Sequence, residues 1–207
     1  HKIIDHMTYV FTGDGCLMEG ISHEACSLAG TLGLGNLVIL YDDNDISIDG
    51  NVEGWFTEDI PKRFESYGWE VIPNIDGHNF EEIDQAIIKA KSNDEKPTLI
   101  CCKTVIGKGS PNISGTAAAH GAILDSDEID LTRKELNWPN DPFDIPKEVY
   151  EDWDARNAGN QKEEDWNKIF EEYASENPEL SSELKRLIAG DLPDRIENTI
   201  YSFIEEV

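Results

Sequence analysis

Basic residues are scarce in this chain: 17 Lys and Arg stand against 43 Asp and Glu, a formal net charge of −26 over 207 residues. A protein that neutralises nucleic-acid phosphates or docks on an anionic membrane needs clustered cations, so the balance argues against both partners. Long apolar runs are missing too, so no segment reads as a membrane span, and the N-terminus lacks the basic-then-apolar pattern of a signal peptide. Cysteine is sparse: Cys16, Cys26, Cys101 and Cys102 have no metal-ligand spacing, and the adjacent pair would point to opposite faces of a strand. They read as reduced, buried thiols of a cytoplasmic protein. There is no internal repeat and no low-complexity segment. His1 to His6 carry no helix start or linker signal, so the chain reads as beginning in the middle of a larger unit.

What is present is a globular pattern, with 39% hydrophobic residues to build a core. From about residue 7 to 105, short apolar runs alternate with helical periodicity, which predicts a parallel sheet with crossover helices. Strands are expected at 8–12, 37–41, 69–73 and 98–104. One crossover helix would carry Ile21, Ala25, Leu28, Ala29 and Leu32 on its apolar face and end near Gly33 or Gly35; another would carry Phe80, Ile83, Ala86, Ile87 and Ala90. Beyond about 126 the pattern changes to helices punctuated by Pro and Gly. Pro146 and Pro178 suit a first helical turn, and Asn177 and Asp194 suit N-caps. Three stripes are expected to make core contacts: Trp166, Ile169, Phe170 and Tyr173; Leu180, Leu184, Leu187 and Ile188; Ile196, Ile200, Phe203 and Ile204. The expected fold class is α/β, a parallel sheet flanked by helices over residues 1–125, with a mainly helical extension over 126–207 that packs on the core.

Two strand ends carry polar clusters. Gly13-Asp14-Gly15 follows Tyr9-Val10-Phe11, and Asp42-Asp43-Asn44 follows Leu37-Val38-Ile39-Leu40-Tyr41. In an open parallel sheet, ligands bind beyond the carboxyl ends of the strands. Either cluster alone is accounted for by ordinary turn chemistry, in which Gly, Asp and Asn are common. Together they offer an Asp carboxylate, an Asn amide oxygen and a backbone carbonyl, three hard oxygens of the kind Mg²⁺ takes while completing its shell with phosphate and water. So acidic a body needs a local cation before it can accept a diphosphate. Residues 42–60 form too long a connection to be a turn, and a glycine-rich stretch from Gly107 to Gly121 leaves the fourth strand at the same edge of the sheet.

Some residues have plainer accounts. Glu19 and Glu24 lie near a helix start, where the dipole favours acids. His23 reads as a polar-face residue that caps or pairs locally, and His78, in Asp76-Gly77-His78, as a turn or helix-entry residue. Adjacent side chains leaving a strand diverge, so at most one of Asp42 and Asp43 is expected to face a metal.

The stretch from Gly13 to Ala25, Gly-Asp-Gly-Cys-Leu-Met-Glu-Gly-Ile-Ser-His-Glu-Ala, and Tyr41-Asp42-Asp43-Asn44-Asp45-Ile46-Ser47-Ile48-Asp49-Gly50 resemble the transketolase family, with its thiamine diphosphate signature. Lys103-Thr104-Val105-Ile106-Gly107, His120-Gly121-Ala122 and Pro142-Phe143-Asp144-Ile145-Pro146 are similar to that family as well, so the resemblance runs over nearly the whole chain. It implies a thiamine diphosphate-binding fold in which Asp14, the Asn44 side chain and the Ile46 carbonyl bind Mg²⁺ or Ca²⁺. It implies that Gly13 and Gly15 let the backbone approach the diphosphate, that Ile48 and Ile106 flank the thiazolium ring, and that His120 reaches both cofactor and sugar substrate as the catalytic residue. The chain departs from the common pattern at Ile123, where many relatives have Pro, and at Ala117 to Ala119.

The implied activity is transfer of a two-carbon ketol unit from a ketose phosphate to an aldose phosphate, in the pentose phosphate pathway, by a cytoplasmic homodimer in which Glu19 and Glu24 have interface counterparts. Alternatives are a dihydroxyacetone or 1-deoxyxylulose phosphate synthase-type thiamine enzyme, or a non-catalytic split subunit that assembles with a partner. The family also carries a preceding segment with further diphosphate contacts, and a second domain that holds the aminopyrimidine ring and supplies an activating glutamate. Neither is recognisable here, so the expectation is a diphosphate-binding domain cut at both ends and inactive by itself.

Overall fold

The structure, a computed structural model, describes residues 3–121, 123–193 and 195–206. The chain forms two compact units, His6–Pro142 and His1–Asp5 with Phe143–Val207. The first is built on a four-stranded parallel sheet. In chain order its strands are β1 (Thr8–Gly13), β2 (Leu37–Asp43), β5 (Glu70–Asp76) and β6 (Thr98–Lys103), and their spatial order is β1-β2-β6-β5. Between β2 and β5 lie a two-stranded ladder, β3 (Ile46–Ser47) with β4 (Gly50–Asn51), and a seven-residue helix α3 (Ile60–Ser66). The remaining helices of this unit are α1 (Asp14–Met18), α2 (Gly20–Leu32), α4 (Phe80–Lys91) and α5 (Ser126–Glu135).

The two central strands are apolar at successive positions because both of their faces are covered. Ile39 and Tyr41 of β2 and Leu99 and Cys101 of β6 pack with Cys26 and Ala29 of α2 and Ile60 and Phe64 of α3. Val38, Leu40, Ile100 and Cys102 pack on the other face with Ala86 and Ala90 of α4. The adjacent cysteines thus lie on opposite faces, as expected; Cys26 is buried with them, but Cys16 is exposed, so the reading of four buried thiols fails there. Caps set the helix ends. Asn79 accepts from the Glu81 and Glu82 amides at 3.1 and 3.3 Å to start α4, and Gly33, at φ 61°, ends α2 in the left-handed conformation.

Several sequence expectations need correction. The third strand runs to Asp76 rather than 73, with a register shift between Ile72 and Ile75, because Pro73 has no N–H for the ladder and Asn74 sits at φ 59°. The ladder β3/β4 and helix α3 were not foreseen: the ladder has two residues a side, and α3 depends on one cap, the Asp59 carboxylate accepting from the Lys62 amide at 3.1 Å. Phe80, expected on the apolar face of α4, opens that helix and is 87% exposed.

Helix α2 packs through a different face from the one expected. Its buried residues are Cys26 and Ala29, while Ile21, Leu28 and Leu32 are exposed. The cause is a close approach at Gly30, where a Cβ would stand 1.9 Å from the Tyr67 carbonyl oxygen. Only small residues fit that contact, so the bulky aliphatics turn outward.

The second unit is helical: α6 (Lys147–Trp153), α7 (Arg156–Glu176), α8 (Pro178–Ala189) and α9 (Ile196–Glu206). Pro146 is the N-cap residue of α6 and Pro178 the first residue of α8. Asn177 stands at the N-cap of α8 but its amide donates back to the Tyr173 carbonyl instead of capping; Asp194 and Ala122 lie outside the described residues. Phe170 is buried, stacked on Trp166 at 5.0 Å, and Trp166 Nε1 donates to the Ile3 carbonyl at 2.9 Å. Trp166 and Tyr173 are half-buried and Ile169 is exposed, so that stripe is core only at Phe170, and the other two stripes are not core. Leu180, Leu187, Ile188, Ile200, Phe203 and Ile204 are exposed, because nothing among the described residues covers the helix faces that carry them. No helix among the described residues is long and apolar enough to cross a membrane.

The close approach at Gly30 gives a stability prediction. Gly30→Ala should cost about 1–3 kcal/mol by urea denaturation, since the added methyl meets rigid backbone. Gly20→Ala, with nothing within 4 Å of the added carbon, should stay within about 0.5 kcal/mol of the parent.

Candidate functional site

Parallel register carries the polar strand ends to one edge. Gly13 of β1 stands beside Asp42 of β2, and Asp43 of β2 beside Lys103 of β6, which also flanks Asp76 of β5. Asp14 immediately follows β1 and begins α1, which places its side chain in the interior at 3% exposure. One carboxylate oxygen, Oδ1, accepts from the Tyr41 hydroxyl. The other, Oδ2, is buried without a hydrogen-bond partner. Burial pushes the Asp14 carboxyl above the ordinary aspartate range; the Tyr41 hydrogen bond opposes this, and the Asp43 and Asp45 charges add to it. Burial, then the Asp14 neighbour, likewise drive the Tyr41 phenol far up, so it remains a donor.

Beside Asp14 is a cavity of about 170 Å³ lined by Asp43, Asp45, Glu58, Asp59 and Lys103 among others. Lys103 Nζ lies 2.8 Å from Asp43 Oδ2 and 3.9 Å from Asp45 Oδ2. Its partial burial alone would lower its pKa, but the Asp43 hydrogen bond and the charges of Asp43, Asp45 and Asp14 outweigh that and hold it above the usual value. Asp42 turns elsewhere: its carboxylate accepts from Thr104 Oγ1 and, at 3.1 Å, from Asn44 Nδ2. Asp42 and Asp43 therefore diverge, and only Asp43 joins the Asp14 cavity.

Asn44 is fixed at both ends of its amide. With Nδ2 given to Asp42, its Oδ1 accepts from the Ile46 amide at 3.0 Å and keeps a second lone pair. Asp45 takes a left-handed φ of 61°. Helix α1 and the 3₁₀ turn Ala117–His120 both pack on β3. The structure thus gathers Gly13 to Gly15, Asn44, buried Ile46 and the turn bearing exposed His120 at one end of the sheet. Open space lies over Gly15, where an added Cβ would meet nothing within 4 Å. Ile106 lines a larger cleft of about 540 Å³ with Phe11, Tyr41, Asp42 and His78, whereas Ile48 is exposed on the turn between β3 and β4.

Glu19 precedes α2 as its N-cap residue without a side-chain cap bond, and Glu24 is exposed. His23 does not pair locally: its Nδ1 is 3.0 Å from the Tyr67 hydroxyl and its Nε2 3.2 Å from Arg63 Nη1, so it bridges α2 and α3. His78 is more than a turn residue, since Nε2 accepts the Val105 amide at 2.9 Å and holds the start of the glycine-rich stretch. Tyr41 and Lys103 were missed as site residues. Strand alternation, which puts Tyr41 on the same face as Ile39, was the signal for the first; the second depends on a pairing between distant segments.

The donor set can be tested against a divalent cation. Among the described residues no three His, Cys, Asp or Glu side chains form a metal cluster. A buried carboxylate oxygen with no donor is nevertheless a site that a cation satisfies, and a cation would offset the desolvation and the repulsion from Asp43 and Asp45. Asn44 and Ile46 are not among the residues lining that cavity, so the fit to a cation rests on the orphaned Asp14 oxygen and the carboxylates around it.

A parallel α/β sheet with an acidic pocket at its carboxyl edge is an architecture in which ligands bind beyond the strand ends. The chain belongs to the transketolase family: residues 1–193 match the family described as "Transketolase, thiamine diphosphate binding domain". It is 59% identical over 207 residues to "Transketolase 2" of Vibrio vulnificus (strain CMCP6), covering 100% of this chain and 31% of that protein. It is 59% identical over 193 residues to "Transketolase 1" of Vibrio cholerae serotype O1, covering 93% and 29%. Among solved structures, a Pichia stipitis transketolase complexed with sedoheptulose-7-phosphate superposes with a TM-score of 0.83 at 46% identity, and the Leishmania mexicana transketolase with 0.85 at 34%; each covers 93% of this chain and 29% of the other. The chain thus spans about 31% of the length of the curated relatives it matches.

The buried carboxylate gives a pH prediction. A folded-state pKa raised above the unfolded value means stability that is intact below the ordinary aspartate range and lost as pH rises through the raised value. Asp14→Asn removes that loss. In chelator and without cofactor, the variant should melt higher than the parent at neutral pH and lose its advantage as pH falls through the carboxylate range. Thermal melts across pH check this; a pH-independent difference would assign the effect to packing instead.

Proposed function

We propose that this chain supplies the diphosphate and metal half of the active site of a transketolase, which moves a two-carbon ketol unit from a ketose phosphate to an aldose phosphate. The observation that carries the reading is the buried Asp14 oxygen without a donor, set among further carboxylates at the sheet edge of a chain from this family. Asp14, Asn44 Oδ1 and the Ile46 carbonyl would hold Mg²⁺ or Ca²⁺, and the cation would offset the repulsion between this acidic domain and a diphosphate. Gly13 and Gly15 leave the backbone accessible to the diphosphate. Tyr41 orients Asp14 by occupying its first oxygen, and Lys103 neutralises Asp43 and Asp45 so that they compete less for the cation. His120, exposed on its turn, is the group for the sugar substrate, with Ile48 and Ile106 as the apolar neighbours of the ring system.

Thiamine diphosphate, when bound, supplies the nucleophilic ring carbon that carries the two-carbon unit; the chain's own residues bind, orient and balance charge. The working form is a cytoplasmic homodimer acting in the pentose phosphate pathway. Support comes from the exposed aliphatic stripe Ile21, Leu28 and Leu32 on α2, from Glu19 and Glu24 beside it, and from four cysteines that are all free. The helical region over 126–207 is the part that leads toward the rest of such an enzyme.

The reading is tested with the full-length gene product. Cofactor and metal binding should be mutually dependent by calorimetry, and Asp14→Ala should abolish both; equal thiamine diphosphate affinity in chelator would refute the metal site. Pentose phosphate turnover separates ketol transfer from a dihydroxyacetone or 1-deoxyxylulose phosphate synthase activity. The 207-residue chain alone should show no ketol transfer at saturating cofactor and Mg²⁺. Proton transfer demands close positioning, and the resemblance assigns the activating glutamate to a domain that is not recognisable in this sequence. Robust turnover by this chain would show the site to be assembled differently.

A further inference from the structure

Glu128 is a carboxylate in an unusual place. It lies in the first turn of α5 yet is only 6% exposed, and it faces a glycine-rich loop instead of solvent. Its Oε1 accepts from the Ser110 hydroxyl and, at 3.0 Å, from the Asn112 amide; its Oε2 accepts from Asn112 Nδ2 at 2.6 Å. Ser110 is itself 4% exposed. An acid this enclosed in a chain of net charge −26 persists because donors satisfy it, and the Ser110 bond, with those from Asn112, holds its pKa below the usual carboxylate range.

Helix stabilisation does not account for the arrangement. The start of α5 is already capped by Asp125, whose carboxylate accepts the Glu128 amide at 2.8 Å. The Glu128 side chain is spent entirely on the loop. Gly109, at φ 92°, lies so close to Leu136 that a Cβ would come within 2.6 Å of it, which pins the loop from a second side. The loop closes on itself through Gly115 N to the Ile106 carbonyl at 2.8 Å and Ser110 N to the Gly107 carbonyl at 3.0 Å. Gly107 in turn lies under the His120 turn, its Cβ position 2.8 Å from the Ala119 Cβ. Contacts therefore run unbroken from Glu128 through Ser110 and Asn112 to Ile106, Gly107 and the residue next to His120.

We propose that Glu128 is a positioning residue for the reaction, fixing the 106–115 loop and through it the placement of Ile106 and His120. The inference rests on the ketol-transfer reading for its catalytic consequence, but the clamp itself is measurable without activity. In the full-length protein, Glu128→Ala should raise amide hydrogen exchange across 106–115 by at least about tenfold while leaving β1 and β2 protected, because the removed contacts are confined to the loop. It should lower kcat by at least about tenfold and change the thiamine diphosphate KM by less than about threefold, since misplacement of reacting groups penalises kcat more than cofactor binding through Asp14. Glu128→Gln keeps an acceptor for Ser110 and the Asn112 amide and should recover most of the lost kcat.

Asn112→Asp, which sets a carboxylate against Glu128 Oε2, provides a second variant that leaves α5 untouched and should loosen the loop in the same way. Unchanged exchange over 106–115 in both Glu128→Ala and Asn112→Asp would overturn the proposal, as would a loosened loop with unchanged kcat, or equal loss in Glu128→Ala and Glu128→Gln with a lowered melting midpoint. Absence of ketol transfer in the parent protein would refute the functional reading, and the exchange data would still decide whether Glu128 holds the loop.

Discussion

The hydrogen bond from Tyr41 to Asp14 is the interaction on which the rest of the first unit turns. It joins the last apolar residue of a central strand to the first residue beyond an edge strand, and it accounts for only half of a buried carboxylate. A folded domain rarely leaves such an oxygen without a donor, because desolvation without compensation costs on the order of 1–3 kcal/mol or more. Here the cost sits beside Asp43 and Asp45, which deepen it, and Lys103, which relieves it in part.

The sheet makes this possible through register. Because β1, β2 and β6 are parallel and paired without slip, the residue after each apolar run emerges at the same height, and oxygens from segments thirty or more positions apart converge without a dedicated loop. The loop after β2 is then held by small polar devices: the Asn44 amide between Asp42 and Ile46, the left-handed Asp45, and the two-residue ladder. The loop after β6 is held by His78 at its beginning and by Glu128 further along. Rigid strands thus present two polar loops, the first braced by hydrogen bonds within itself and the second by His78 and Glu128 from other segments.

What was legible in the sequence follows from the range of the forces involved. The runs at β1, β2 and β6 and the helices α2 and α4 could be read because burial on a sheet leaves a periodic trace in the chain itself. The Gly13-Asp14-Gly15 and Asp42-Asp43-Asn44 clusters could be read because their spacing matches one strand-helix-strand unit. Which face α2 buries could not, since a glycine meeting the Tyr67 carbonyl is decided by a segment thirty-seven positions away and overrides the hydrophobic stripe. The same applies to Glu128: in the sequence it is an acid at a helix start, and only its juxtaposition with Ser110 and Asn112 gives it another task. The stripes of α8 and α9 were real, but an apolar stripe states only that a face can be covered, not that this stretch of chain covers it.

The uneven burial of the thiols has a practical consequence. Burial raises the pKa of Cys26, Cys101 and Cys102, that of Cys101 to about 12, so none presents an accessible thiolate near neutral pH. Cys16 alone is exposed, two residues after Asp14. An alkylating fluorophore or spin label would therefore attach to this domain at a single point, at the start of α1, without any engineered residue.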